Sequence, residues 1–425
     1  MKQKLGNNVS WVVKNGLCTS CGVCMGACAH KAISFYYGRE RNTPNVDASR
    51  CTNCGICYSV CPGKGLALNG IGQQLFGKED GINKELCAGH YIKAYVGHST
   101  NYDIRYHAAT GGMVSQFLIY LLKKKIIDGA VVVRYKKNNP FEPEPFIATK
   151  EEEIWQSRSS KYVVFSFDKV ADEIAHSDKS LRLAVVGLPC HIQGWRLLAS
   201  KNRRVRESIV GYFAIYCSVN KTKLSLEYYP WRYKIDKEKV GRFAFRDDGC
   251  MGFMKFTDKQ GTEMKKIPYI SFWYGTHSFF ANPRCSLCID QLGELADISF
   301  GDIHIEPYSQ DTIGTNSIIT RTNHWDNILK CCKDEGFVTL DEIPIGTIVK
   351  SQGYTKSFKK GAGVQTNLAI RRITNRKSPT YDFVSGGGNL KGKVIVAELV
   401  KALQRGIGRH RSMWWLIWLL DLRRG

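Results

Sequence analysis

The sequence predicts an α+β chain, with a small cysteine-rich N-terminal unit followed by a larger mixed α/β core on a mixed sheet. Three observations carry that expectation. Eight of the sixteen cysteines fall in two equally spaced groups that end at Cys61. Beyond residue 90, apolar strands, glycine turns and helical runs alternate, as in parallel units, while residues 252–267 read as a hairpin. At 425 residues the chain has room for two or three domains, and 43% hydrophobic with 23% charged residues excludes a disordered or fibrous class.

Taken in order, Cys18, Cys21, Cys24 and Cys28 follow the spacing C-x2-C-x2-C-x3-C. Cys51, Cys54, Cys57 and Cys61 repeat it, with Pro62 after the last. Thiolates stepped three apart on a tight loop with Gly22 or Gly55 wrap one face of a 4Fe–4S cubane, and backbone N–H groups point at its sulfides. In this motif the fourth cysteine serves the other cluster. Cys18, Cys21, Cys24 and Cys61 are therefore assigned to one cubane, and Cys51, Cys54, Cys57 and Cys28 to the second. Residues 1–65 read as a bacterial-type two-cluster ferredoxin, a short electron relay. The competing reading, a pair of structural zinc sites, fits poorly because zinc favours paired C-x2-C modules over a triplet plus one. Ala29 stands where the first motif usually has proline, which weakens the turn after Cys28 but removes no ligand.

Residues 66–90 are polar and glycine-rich without a period and read as a linker. The core is expected over 91–350. There Tyr91 to His98 is a strand, and Gly111-Gly112 precede a helix from Met113 to Ile127. Ala130 to Tyr135 is a strand and Glu151 to Ile154 opens a helix. Arg182 to Val186 is a strand entering the Gly187-Leu-Pro-Cys190 turn, and His191 to Ser200 is helical. Ser208 to Tyr216, Ile298 to Phe300 and Ser317 to Thr320 supply further strands. Residues 351–425 form a C-terminal extension, with a glycine run at 386–388 and a basic helix ending in Trp414-Trp-Leu-Ile-Trp418.

The formal charge is +23. Each oxidised cubane with four thiolates brings about −2, so two or three clusters leave the protein strongly basic and attractive to acidic partners. The charge is spread along the chain without a recognised binding motif, which argues against nucleic acid. Sixteen cysteines behind a polar start, with no apolar run of membrane-spanning length, place the protein in the cytoplasm.

Seven fragments then occur in order: Arg105 with Ala109-Thr110-Gly111-Gly112, Ile127-Asp-Gly129, Ser160-Lys161-Tyr162, Val185-Val-Gly-Leu-Pro-Cys190, Phe245-Arg246, Cys285-Ser-Leu-Cys288, and Ala296-Asp-Ile-Ser-Phe-Gly-Asp302. Behind a ferredoxin unit, they resemble the coenzyme F420 hydrogenase/dehydrogenase beta-subunit family over about residues 15 to 350. The resemblance implies a flavin, usually FAD, beside a cluster, passing electrons between one-electron carriers and a two-electron substrate. Family members act on deazaflavin coenzymes, chlorophyll-pathway pigments and other substrates, so the substrate stays open.

Thr110-Gly111-Gly112 at a helix start offers free N–H groups to a pyrophosphate, although glycine also starts helices for structural reasons alone. With the resemblance, this turn becomes the FAD diphosphate seat. Arg105 adds a phosphate contact or is a solvated arginine. Ser160, Lys161 and Tyr162 resemble a flavin-contacting segment that usually reads Gly-Ser-Lys-Tyr, and Ser159 here replaces that glycine. Cys190, Cys217, Cys285 and Cys288 are the remaining ligand set, for a third cubane. Against it stand two buried core thiols plus a zinc pair or redox dithiol. Cys87, Cys250, Cys331 and Cys332 lack ligand spacing and read as ordinary. Asp302 is unassigned, and no catalytic acid or base is named.

The tail mixes Lys401, Arg405, Arg409, Arg411, Arg423 and Arg424 with three tryptophans. It suits a membrane surface, and somewhat better a helix docked on the protein's own core or on a partner subunit. Two functions remain in view. The first is an FAD-dependent iron–sulfur oxidoreductase exchanging electrons with ferredoxin or flavodoxin. The second is a non-catalytic electron-transfer subunit that hands electrons to a partner protein.

Overall fold

A computed structural model describes residues 8–178, 181–276, 278–382 and 392–422. The glycine run at 386–388 and the pair Arg423 and Arg424 lie outside the described residues. An eight-stranded mixed sheet organises the core. Its order is Val338–Glu342, Lys93–Ser99, Asn316–Thr320, Ile298–Asp302, Ile209–Ile215, Leu183–Gly187, Gly129–Lys136, Asn139–Ala148. The four strands Ile298–Asp302, Ile209–Ile215, Leu183–Gly187 and Gly129–Lys136 are mutually parallel, and antiparallel strands flank them on both sides. Strands buried on both faces need continuous apolar runs, and Leu183–Gly187 is buried at every position. At the edge, Asn139–Ala148 carries Pro140, Pro143 and Pro145, a composition tolerated only where one side needs no ladder partner.

Helices cover both faces. Met113–Lys123 and Asn323–Asp334 pack on one face around Phe117, Phe213, Phe300 and Trp325. Asp168–His176 and Pro189–Lys201 cover the other around Phe167, Trp195 and Leu198. The N-terminal unit sits against this second layer without a gap. A Cβ on Gly22 would fall 2.4 Å from the Asp168 backbone nitrogen, and one on Gly26 2.3 Å from the Ala171 carbonyl. The Phe167 N–H also donates to the Cys21 carbonyl at 3.0 Å. A three-stranded antiparallel sheet, Val240–Asp247, Phe253–Asp258 and Glu263–Pro268, forms a separate aromatic lobe. It contains the hairpin expected at 252–267.

Residues 66–90, read as a linker, carry the helix Leu68–Phe76 and the small hairpin Asn83–Glu85 with Gly89–Tyr91. The division at 350 falls inside the helix Ile345–Ser351, and the chain after it continues into the core: Val364 and Phe358 are buried, and Tyr381 donates to the Leu287 carbonyl at 2.5 Å. The tail forms the helices Gly392–Arg409 and Trp414–Leu422, with Trp414 and Ile417 buried in the aromatic lobe. No helix of the described residues is long and apolar enough to cross a membrane.

Candidate functional site

Helix N-termini and connecting loops leave polar groups unpaired at the carboxyl edge of parallel strands, and cofactors bind there. Strand Leu183–Gly187 runs into Leu188 and Pro189, and Pro189 begins the helix Pro189–Lys201. Cys190 thus sits in the first helical turn, at the positive end of the helix dipole. The neighbouring parallel strand Ile209–Ile215 stops just before Cys217. The 3-10 turn Pro283–Leu287 holds Cys285, and Cys288 follows it. All four cysteines line one cavity, together with Thr19 and Pro62 from the N-terminal unit and with Arg284, Lys359 and Tyr381. Burial pushes the Cys190 thiol far up, and Cys217, Cys288, Cys285 and Cys21 press it further in the same direction.

Spacing tests the ligand set. Zinc–sulfur bonds of about 2.3 Å place tetrahedral sulfurs about 3.8 Å apart. Among the described residues no three cysteine sulfurs lie within 4.8 Å of one another; the group that close is His107, Asp247 and Asp248. Those two carboxylates are occupied by Arg242 at 2.5 Å and by Lys255 and Lys266 at 2.8 and 2.9 Å. Among the described residues the cysteine sulfurs are therefore not gathered as tightly as a single tetrahedral zinc ion requires.

Charge tests it again. Lys359 is 1% exposed, and its Nζ donates to the Cys285 carbonyl at 3.4 Å. No carboxylate pairs with it among the described residues, whereas the adjacent Lys360 meets Glu294 at 2.6 Å. Burial disfavours the Lys359 charge, yet Cys288, Tyr354, Cys285 and Cys217 hold its ammonium above the ordinary range. Arg284, also buried, donates to the Gly63 carbonyl at 3.2 Å, the Pro62 carbonyl at 3.4 Å and the Tyr381 hydroxyl at 3.0 Å. A buried cation without an acid is costly, and two beside four thiols fit an anionic occupant.

The surroundings of two of the N-terminal cysteines accord with the crossed assignment. Cys24 is raised by burial first and then by Cys21, Cys61, Cys18 and Cys57, three of them from its own set, while Cys57 is raised by burial and by Cys28, Cys51 and Cys54. The first set is buried. Cys54 of the second is exposed, and Cys28 and Cys51 are half-buried.

The flavin-segment residues lie on the same edge of the sheet. Asp302 is paired in register with Asn316, and Asn316 with Gly97. Gly111 presses on this row: a Cβ there would fall 2.7 Å from Asn316 Oδ1. Gly112, at φ +75°, caps the helix Met113–Lys123, and the Met113 N–H already donates to Asn316 Oδ1 at 3.2 Å. Thr110 donates to the Thr315 carbonyl at 3.2 Å. Arg105 is engaged by Asp311 at 2.6 Å and the Gly314 carbonyl at 2.9 Å, so it anchors the loop 311–315 instead of facing solvent. Lys161 donates to the carbonyls of Ser157 and Arg158 at 2.5 and 2.7 Å, and burial pushes it down to about 7. Ser160 is half-buried. Ser159 adopts φ +68°, so serine keeps the left-handed conformation that glycine would have taken freely. Its hydroxyl bonds the Arg246 carbonyl.

Arg246 joins the two segments. It is buried, reaches Asp302 at 2.5 Å and the Tyr162 hydroxyl at 3.4 Å, and lies 4.7 Å from the Tyr269 ring centre. Cys250 Sγ stands 3.7 Å from both Arg246 Nη2 and Thr110 Oγ1. Tyr162 stacks obliquely on Trp273 at 4.6 Å. A short path connects this region to the cysteine cavity: the Cys217 N–H donates to the Gln291 carbonyl at 2.9 Å, Gln291 donates to Gln352 at 2.8 Å, and Gln352 to the Asp302 carbonyl at 2.8 Å. Cys250, Lys359 and Gln352 were missed because each is alone in sequence. Cys332 is a core thiol, as expected, and Cys331 is exposed on the same helix.

Comparison with known proteins matches residues 94–171 to the N-terminal and 180–345 to the C-terminal part of the coenzyme F420 hydrogenase/dehydrogenase beta subunit. Residues 17–64 match a 4Fe-4S dicluster domain. The chain is 27% identical to the coenzyme F420 hydrogenase subunit beta of Methanothermobacter thermautotrophicus over 300 residues, 69% of this chain and 100% of that protein. It is 24% identical to an F(420)H(2) dehydrogenase subunit of Methanosarcina mazei over 367 residues, 83% and 94% of the two chains. Its fold resembles a chain of the F420-reducing [NiFe] hydrogenase complex from Methanosarcina barkeri, with a TM-score of 0.51 at 19% identity, over 67% of this chain and 93% of that one.

Proposed function

Because the chain belongs to the coenzyme F420 hydrogenase/dehydrogenase beta-subunit family and carries an N-terminal 4Fe-4S dicluster domain, we propose that it is an FAD-dependent iron–sulfur oxidoreductase. It relays electrons between ferredoxin-type one-electron carriers and a two-electron substrate. The observation that carries this reading is the four-cysteine cavity, walled by Thr19 and Pro62 of the ferredoxin unit and by two buried cations without acids. Cys190, Cys217, Cys285 and Cys288 hold a third cubane there. The electron path runs from the partly exposed set Cys51, Cys54, Cys57 and Cys28, through the buried set Cys18, Cys21, Cys24 and Cys61, to that third centre.

The FAD reading rests on the convergence of the turn at Thr110, Gly111 and Gly112 with Tyr162 around Arg246. The first helical turn after Gly112 receives the diphosphate, Arg105 and Lys161 hold the flanking loops, and Ser160 and Tyr162 contact the flavin. A bound flavin exchanges electrons in pairs with a substrate and singly with a cluster. The basic surface favours encounter with acidic ferredoxin or flavodoxin, and sixteen free cysteines suit the reducing cytoplasm.

The test is iron, acid-labile sulfide and flavin per chain in one anaerobically purified sample. Three cubanes give about twelve irons, with one flavin. About eight irons and no flavin after reconstitution would overturn the third cluster and the flavin seat together. The relatives are named as subunits, which favours a second reading, an electron-transfer subunit that serves a partner protein. Turnover of coenzyme F420 by the isolated chain with reduced ferredoxin supports the enzyme. Electron exchange with protein carriers alone, across a panel of deazaflavin, quinone and small unsaturated acceptors, supports the subunit.

A further inference from the structure

The helix Gly392–Arg409 is amphipathic in the reverse sense. Val396, Leu399, Val400 and Leu403, spaced to share one face, are all exposed, Leu403 at 67%. Glu398, on the opposite face, is 2% exposed, bonded to Asn367 at 2.7 Å and Lys401 at 2.6 Å. A helix that merely covered a core would turn its leucines in and its glutamate out. The next helix, Trp414–Leu422, uses Trp414 and Ile417 to grip the aromatic lobe and leaves Trp415, Trp418, Leu419 and Leu420 exposed. Trp231 of the lobe, also exposed, stands 5.7 Å from Trp414, ring centre to ring centre.

The charges around this surface are mainly positive. Over 392–422 the acids are Glu398, which is buried, and Asp421 near the end of the second helix, against the exposed cations Lys393, Arg409 and Arg411. Arg232 of the lobe lies 5.9 Å from the Trp418 ring. Arg409 meets Glu40 at 3.4 Å, and among the described residues the other exposed cations of the tail have no acid within reach. Exposed leucines beside tryptophans with a predominantly basic rim match the chemistry of an anionic bilayer surface: acyl chains take the apolar stripe, tryptophan sits at the headgroups, and lysine and arginine meet phosphate.

We propose that the two tail helices dock this protein peripherally on anionic lipid, lying in the interface without crossing it. The experiment is flotation of the full-length, cluster-loaded protein with vesicles of phosphatidylcholine alone and of equal parts phosphatidylcholine and phosphatidylglycerol. The protein floats with the anionic vesicles, its tryptophan emission shifts to the blue, and binding weakens as salt rises. Leu399→Glu/Leu403→Glu lowers the partition coefficient at least about tenfold with unchanged iron content and visible absorption. Lys393→Ala/Arg411→Ala lowers binding to anionic vesicles only. Failure to float with anionic vesicles, or flotation insensitive to the leucine pair, overturns the proposal. So does a stable dimer in sedimentation that the same leucine pair dissolves, which would assign the surface to a second copy.

Discussion

Replacing Lys359 by methionine removes one positive charge from the wall of the cysteine cavity while keeping a straight side chain of similar length. Nζ lies 3.4 Å from the Cys285 carbonyl, and a cubane on these ligands would put its charge on the order of 7 Å from the ammonium. Through an effective dielectric of about 20, a unit charge at that separation is worth about 2 kcal/mol, on the order of 100 mV for one electron. Reduction adds negative charge, so the cation favours the reduced cluster and its loss lowers the midpoint potential. An anaerobic redox titration followed by electron paramagnetic resonance should show one signal moving down by about that amount, while the two ferredoxin signals stay nearly in place. Full iron content with all signals unmoved would refute the assignment of Lys359 to a third cluster. A shift confined to the ferredoxin signals would do the same.

Other outcomes follow from the same geometry. Cys217→Ala should lower iron by about four per chain and leave the ferredoxin resonances, which a simple iron assay with spectroscopy checks. Gly111→Ala places a methyl 2.7 Å from Asn316 Oδ1; released-flavin analysis should find the flavin lost, and thermal melting a cost of roughly 1–3 kcal/mol. Lys221 is fully buried, bonded to the Tyr229 and Thr276 hydroxyls at 2.7 and 2.9 Å, and burial pushes it down to about 7 from an unfolded value of 10.5. Between those values the unfolded chain binds more protons, so stability rises with pH in that window. Lys221→Met should raise the melting temperature most at pH 7 and below, with the advantage shrinking towards pH 10; an equal gain at all pH would remove burial of the charge as its cause.

Much of this architecture was legible where local pattern and tertiary role agree. Gly129–Lys136, Leu183–Gly187 and Ile209–Ile215 are apolar runs long enough to declare themselves, and the turn after Gly187 presents Cys190 as its spacing indicated. The strand Asn139–Ala148 escaped because three prolines oppose a strand everywhere except at an edge, and edges are decided by the whole sheet. The same holds for the site. Cysteine triplets are local and readable, whereas Lys359 reaches the cavity from beyond residue 350, and Cys250 meets Thr110 only because two distant loops close on Arg246. Ser159 shows a different limit: its φ of +68° is recorded in the backbone and invisible in the letter.

Arg284 spans from the Pro62–Gly63 backbone, next to Cys61, to Cys285, its own neighbour in the chain. Under the function proposed above, one guanidinium thus rivets the loops of two successive redox centres. Tied by these bonds, the two loops are held at one spacing, and tunnelling between centres placed there would run at a rate set when the chain folds. A relay built this way would be regulated elsewhere than between those two centres. Control over its current falls to the two ends, where a carrier docks and where the final acceptor arrives.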